Sequence, residues 1–526
     1  MKLLSRGRSC LMSSWRGLRE NLLSLLLLFL LLIGVLSCRN ADKEKALGPD
    51  LNNSMVKNFS FESNVGEDLI TDWSKIVGWS GPDDGNSGIE KNPFYSPVDG
   101  KWYAFQRGNG DYIKQETECT ISSGETYSLQ LWARSINEPG NAAITAIEVK
   151  FFYDTTTILK KTVNLNPPQL KGVAANTPND DGANVWIDGQ YRHQFADVHM
   201  YQPIDYDPIE DPWLLVQDGY QDVQEKLGWA VGPVIAGKEK FIFGTRYRDD
   251  PASFFSSITM TKVISSDGPN YIFSDPATIL SHKGSEFPWV EDPHCYYDEE
   301  TGRLWMAWGG GTCYVSELDP NDGKLINHPA NSEFDVHGQS VHTPVATWPE
   351  TKEGWRGDQW SKCWMEGAAL YKYNGYWYFF GSYGNLSKDY TIRYGRGDNP
   401  RGPFYDKDGV NLMSFDPKKN AYGNTILLGA EGEQLVPGHP HIWQENGKFY
   451  LGYDYRKKAN EEMDYMGIRR LYWVDNWPTI YTPITLSFNA DDFPNSIGKK
   501  LGISFRNAGD SASVMAVDLV TLNVKK

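Results

Sequence analysis

Three carboxylates and an imidazole stand at equivalent places along this 526-residue sequence. Asp180 or Asp181 precedes Ala183-Asn184-Val185-Trp186-Ile187, Asp292 precedes Pro293-His294-Cys295-Tyr296-Tyr297, Glu366 precedes Gly367-Ala368-Ala369-Leu370, and His439 precedes Pro440-His441-Ile442-Trp443. Three acids gathered at one point suit the hydrolysis of a glycosidic bond. One carboxylate activates water, a protonated carboxyl donates to the leaving oxygen, and the third keeps that donor protonated by like-charge repulsion. Taken singly, an acid ahead of a hairpin is more often a turn or edge residue, and Asp-Pro initiates turns. The chemistry therefore depends on whether the fold brings these positions together.

The elements that carry them share one design. Glu366 opens an apolar strand that runs to Tyr373, Asn374-Gly375 makes a two-residue turn, and the aromatic strand from Tyr376 returns, which predicts a β-hairpin. Similar hairpins begin at Ala183, at Trp229, at Glu291-Asp292 and at Pro437-Gly438-His439. Five such units at a spacing of roughly 40–60 residues predict a five-bladed β-propeller over residues 168–481. In a propeller the first strand of each blade lines the central channel, so residues at the starts of those strands converge on one mouth.

The flanks read differently. From Asn58-Phe59-Ser60-Phe61-Glu62 to Lys161 short strands alternate with period two, and three more follow at Ile484–Phe488, Ile497–Phe505 and Val517–Leu522. The first set resembles the galactose-binding-like jelly rolls that serve as carbohydrate-binding modules, but it lacks the closing strands, and these appear at the other end of the chain. The expectation is an all-β chain in which residues 56–167 plus 482–526 form one split β-sandwich (jelly roll), with the propeller inserted into it. The alternative is two small β elements flanking the propeller.

Residues 1–38 read as a signal. Arg6, Arg8, Arg16 and Arg19 precede the apolar run to Leu36, and Val35-Leu36-Ser37-Cys38 resembles a bacterial lipobox, implying cleavage before Cys38 and a lipid anchor on its thiol. An uncleaved anchor helix is the alternative reading. Either predicts an exported chain tethered to the cell envelope, with residues 39–55 as a spacer. Cys119, Cys295, Cys313 and Cys363 are too scattered for a disulfide framework and are expected to be buried. The formal net charge of −16 excludes a nucleic-acid backbone as partner. With 19 Trp, 29 Tyr and 23 Phe beside 50 Gly, the composition fits all-β domains and surfaces that stack on sugar rings.

The propeller segment also resembles a known family. The stretches Glu291-Asp292-Pro293, Tyr297-Asp298-Glu299-Glu300-Thr301-Gly302, Val315-Ser316-Glu317-Leu318-Asp319-Pro320, Glu366-Gly367, Tyr390-Thr391-Ile392-Arg393, Gly402-Pro403-Phe404 and Pro437-Gly438-His439 are similar to glycoside hydrolase family 43, and within it to the arabinanases. The resemblance implies that Glu366 is the general acid, that Asp292 orients it and tunes its pKa with neighbouring Glu291 as competitor, and that His439 sits on the axis beside a calcium or sodium ion. It implies Trp229, His294 and Arg393 as substrate-binding residues and no organic cofactor. The family's Asp-Pro at the first inner strand is missing; counting back from Gly189-Gln190-Tyr191 places the general base at Gly182 or, with a one-residue offset, at Asp181, which is taken as the base with Asp180 and Asp197 behind it, the alternative being a polar entry loop with the base absent or supplied elsewhere. The implied protein is a monomeric, exported glycosidase that inverts configuration while cleaving arabinan-like polysaccharide or oligosaccharide. Its rivals are a glycan-binding lipoprotein without catalysis and an enzyme of the same fold acting on xylosides or galactans.

Overall fold

The computed structural model describes residues 54–526 apart from 64–66, 93–94, 166–182, 188–189, 195–226, 228, 251–252, 266–271, 284–288, 327–340, 349–363, 387–388, 417–420, 423–424, 446 and 458–459. The expected signal segment and the base candidates Asp180, Asp181 and Asp197 lie outside these residues. The described chain is all-β.

Strands from both chain ends interleave. Val514–Lys525 lies between Tyr103–Arg107 and Thr126–Ser135 in a six-stranded sheet, and Thr482–Asn489 closes that sheet's edge. Lys500–Asn507 lies between Ile113–Thr120 and Ala146–Tyr153 in a four-stranded sheet. Alternation makes this pairing work: Ile113, Gln115 and Thr117 are buried while Lys114, Glu116 and Glu118 face solvent, the period-two pattern of a sheet with one wet face. Leu129, Leu131, Ala133 and Val517 of the larger sheet share one apolar core with Val149, Phe151, Ile503 and Phe505 of the smaller.

Between these ends the chain folds into successive antiparallel sheets. Trp229–Ala236, Glu239–Asp250 and Ser253–Ser265 begin the first, His294–Asp298, Arg303–Trp308, Thr312–Leu318 and His342–Thr347 form the second, Trp364–Tyr373, Tyr376–Gly384 and Thr391–Gly397 begin the third, and Gln434–Glu445, Lys448–Lys457, Asn460–Val474 and Trp477–Thr479 form the fourth. Ala183–Ile187 and Gln190–Gln194 pair as a separate hairpin. The Asn-Gly turn is built as its residue types require, with Asn374 at φ 49° and Gly375 at φ 84°. Each sheet shares an apolar core with the next: Phe241 and Phe243 pack with Met306 and Trp308, Trp305 and Val315 with Met365 and Phe379, and Phe380 and Tyr394 with Leu451 and Trp473.

The six-stranded sheet is covered on its second face as well, where Tyr103, Phe105, Trp132 and Leu519 pack with Val474 and Tyr481. Trp132, Tyr103 and Tyr481 are fully buried there. At about 1.5–3 kcal/mol for each large apolar side chain removed from water, this seam is a packed interior and not a loose tether. Of the cysteines expected to be buried, Cys313 is buried, but Cys119 and Cys295 are only half-buried because each sits near a sheet margin; Cys363 lies outside the described residues.

Candidate active site

The first strands of the second, third and fourth sheets touch one another. Leu370 donates its backbone N–H to His294 Nδ1 at 3.3 Å, Gly367 donates its own to Asp292 Oδ2 at 3.1 Å, and His439 Nε2 lies 2.9 Å from that same oxygen. At the mouth of each strand the backbone turns left-handed, with φ of 50° at Asp292, 61° at Gly367 and 45° at His439. Non-glycine residues in this region are strained and persist where the surroundings over-determine them. The first sheet contributes too: Asp292 donates its N–H to Thr245 Oγ1 at 2.9 Å.

Carboxylate oxygens of Glu291, Asp292 and Glu366 all lie within 4.8 Å of one another, with Glu291 and Asp292 buried and Glu366 half-buried. Tyr390 donates its hydroxyl to Glu366 Oε1 at 2.5 Å. Burial first, and then the charge of Glu366, holds the Tyr390 phenol well above its ordinary value, so it remains a donor. The nearby Cys313 thiol is likewise pushed up, by burial and then by the charges of Asp292, Glu291 and Glu366, so it is inert as a nucleophile.

His439 faces carboxylates on both sides, Asp292 Oδ2 through Nε2 and Asp454 Oδ2 at 3.6 Å from Nδ1. Burial alone would depress its imidazole, but Asp292 and Asp454 outweigh that and hold it well above the ordinary value of 6.5. A protonated imidazole has no lone pair for a metal. The oxygen donors of the three acids are what a hard cation would take.

Residues 232–478 match the model of Glycosyl hydrolases family 43. Among curated proteins, the extracellular endo-alpha-(1->5)-L-arabinanase of Thermotoga petrophila is 27% identical over 270 residues, covering 46% of this chain and 51% of its own length. The extracellular endo-alpha-(1->5)-L-arabinanase 2 of Bacillus subtilis is 26% identical over 223 residues, covering 38% and 43%. The chain thus spans about half the length of the curated relatives it matches. Among solved structures, Cellvibrio cellulosa alpha-L-arabinanase complexed with arabinohexaose is 15% identical, covers 62% of this chain and 99% of its own, and superposes with a TM-score of 0.41.

The family 43 match contains the whole acid cluster and begins after Asp181 and Trp229. Trp229 lies in the strand paired with Thr245, the residue that accepts from Asp292 N–H. Arg393 is at the Glu366 end of its sheet: it pairs with Gly381, and Glu366 pairs with Ser382. Its guanidinium lies 4.7 Å from the Trp348 ring and 5.3 Å from that of Tyr383, and its Nε donates to Thr391 Oγ1. His294 is 4% exposed, its Nδ1 accepts from the Leu370 N–H, and its Nε2 faces His441 Nδ1 at 3.0 Å, so it links its strand to the first strands of the third and fourth sheets.

Burial lowers the His294 imidazole to about 4 and puts that of His441 well below its ordinary value. A group whose folded pKa is depressed gives stability that is present above the unfolded value and is lost as pH falls. Lowering pH from about 6.5 to about 4 should then cost roughly 3 kcal/mol at His294 alone. Urea denaturation across that range checks this, and a midpoint independent of pH there would contradict a neutral buried pair.

Tyr390, Ser382, Thr245 and Asp454 had no assigned role from sequence. Tyr390 stood at the head of a family-like stretch, which is a signal that could have been used; Thr245 and Asp454 carry none, because only the pairing of distant strands brings them here. Gly367 is required by space as well as by backbone. A Cβ there would sit 2.5 Å from His439 Cδ2 and 2.7 Å from Ser382 Oγ. Gly367→Ala is expected to cost about 2–4 kcal/mol, the sum of left-handed backbone and overpacking. A drop in denaturation midpoint measures it; an unchanged midpoint would mean the strand relaxes freely.

Proposed function

We propose that the chain is an exported glycosidase that hydrolyses arabinan-like polysaccharide or oligosaccharide by single displacement with inversion. The observation that carries this reading is the half-buried Glu366, gripped by the Tyr390 hydroxyl inside a cluster of carboxylates within a family 43 segment. The two named relatives, both arabinanases, support the choice of arabinan.

In this mechanism Tyr390 fixes Glu366 Oε1 as an acceptor, which leaves Oε2 to carry the proton toward the leaving oxygen. Asp292 and Glu291, so close to Glu366, repel a third negative charge there, which suits an acid that must be protonated to donate. Asp181 removes a proton from water as the water oxygen bonds to the anomeric carbon, the glycosidic C–O bond breaks, and the Glu366 proton passes to the departing hydroxyl. Inversion requires the Asp181 and Glu366 carboxyls to stand about 6.5–9.5 Å apart, with room for that water. In this reading Trp229 and Arg393 contact the sugar, and Trp348 beside Arg393 offers a further ring.

The five hairpin units are read as blades of one propeller, and the sheets from the two chain ends as a split galactose-binding-like jelly roll over 56–167 plus 482–526. Residues 1–38 direct export, with lipidation of Cys38 tethering a monomer to the envelope; both relatives carry the word extracellular in their names. Incubation of the soluble form with linear arabinan, xylan and galactan, followed by analysis of released sugars, tests the reading. Release from arabinan with inverted anomeric configuration is expected, and no release from any of the three would overturn it.

A further inference from the structure

We propose that Arg134, on a strand of the six-stranded sheet, is a positioning residue for the acid cluster, acting through Glu431 and Arg469 on the strand that carries His439. This rests on the functional reading above.

Arg134, Glu431 and Arg469 are all buried, with 3%, 3% and 6% exposure. Arg134 NH2 donates to Glu431 Oε2, and Arg469 NH1 donates to the same oxygen at 3.2 Å. The Arg134 guanidinium is held between the rings of Tyr95 and Tyr481, 5.5 Å from each. One carboxylate thus joins a guanidinium from the interleaved terminal strands to one from the fourth sheet. Removing one partner of such a buried pair leaves an uncompensated charge, so the three hold or fail together.

The network runs on toward the site. Arg469 NH2 donates to Gln434 Oε1 at 3.2 Å, Arg469 Nε to Tyr453 Oη at 3.0 Å, and Tyr453 donates its hydroxyl to Gln434 Oε1. Glu431 and Gln434 also exchange both backbone hydrogen bonds, at 2.8 and 3.0 Å. Gln434 begins the strand Gln434–Glu445, and the residue after Tyr453 is Asp454, which faces His439.

That strand needs holding. Its register breaks on either side of Gly438, and Val436 and His439 adopt φ of 47° and 45°. A β-branched residue in the left-handed region is an outlier that surrounding contacts must impose. Beyond the first bulge, His439 N–H donates to Ser382 Oγ at 2.8 Å. Before that bulge, the strand is fixed by Gln434 and by the Glu431 turn, which is anchored from outside the sheet by the Arg134 side chain on Glu431 and by backbone hydrogen bonds from Gly432 N–H to Asn137 O and from Gly140 N–H to Gly432 O. Loosening that end lets His439, and with it Asp292, shift relative to Glu366.

A second contact across the same seam separates positioning from mere docking. Lys407 Nζ donates to Pro97 O at 3.1 Å and Val98 O at 2.8 Å, and none of the contacts described for it reaches the 434–439 strand. Full-length Arg134→Met, Arg134→Lys and Lys407→Met are assayed on linear arabinan at a temperature where each remains folded. Because a misplacement of about an ångström in a catalytic group costs up to about 10²-fold, Arg134→Met should lower kcat about tenfold or more while KM stays within about twofold. Arg134→Lys should fall between, and Lys407→Met should keep wild-type kcat even where it lowers stability. Wild-type kcat in Arg134→Met, or an equal loss in Lys407→Met, overturns the proposal. If Arg134→Met does not fold, the Lys variant carries the test, and its having wild-type kcat overturns it. Glu366→Gln run alongside tells the two failures apart: an active Glu366→Gln defeats the functional reading, whereas an inert Glu366→Gln beside an unaffected Arg134 variant defeats only this inference.

Discussion

Glu366→Gln is expected to lower kcat on linear arabinan by about 10³-fold or more with no loss of stability, the upper part of the range for a positioned general acid. Glutamine keeps the shape of the side chain, and its amide oxygen can still accept from the Tyr390 hydroxyl that now meets Oε1. What it lacks is a proton for the departing oxygen. A sugar carrying a dinitrophenolate leaving group departs without protonation, so on that substrate most of the lost rate should return. The two substrates measured side by side decide the role. An equal loss on both would mean that Glu366 binds the sugar or shapes the pocket and does not act as an acid.

Asp292→Asn is expected to reduce kcat by about 10²-fold or more and, unlike the first variant, to destabilise the fold by about 3–5 kcal/mol, the cost of breaking a buried charged pair. Asp292 Oδ2 accepts from both the Gly367 N–H and His439 Nε2. An amide oxygen can replace that acceptor but not the charge, and His439 is then left with Asp454 at 3.6 Å. The pH dependence has a definite sign. Because Asp292 and Asp454, against the opposing effect of burial, hold the His439 imidazole above its ordinary 6.5, the stability it provides is fully present below that value and is lost as pH rises through the raised one. The gap between wild type and Asp292→Asn should be widest near pH 6 and shrink toward alkaline pH. Equal denaturation midpoints at pH 6 would refute the ion pair.

The pattern of hairpins was legible because each is a local matter. Asn374-Gly375 between two apolar runs leaves the backbone one economical turn, and the aromatic return strand from Tyr376 follows from period-two alternation. The approach of Asp292, Glu366 and His439 could be anticipated from their equivalent places at strand starts. The identity of neighbours could not. His294 stands two residues from Asp292 and reads as part of the mouth, and its burial against His441 follows from the packing of strands far apart in the chain.

By itself, the order of residues determined the strand periodicity, the turn types and the set of acids available for chemistry, since these depend on side-chain shape and on neighbours within a few positions. Only the tertiary structure decided in what order the strands from the two chain ends would pair, that Glu291 would join Asp292 and Glu366, and that Tyr390, Asp454 and Arg134 would stand beside them. The physical reason is range. Hydrogen bonds and charge pairs between residues hundreds of positions apart act only once cooperative burial of the sheets has closed the intervening loops, and no local preference encodes which partner will then be within reach.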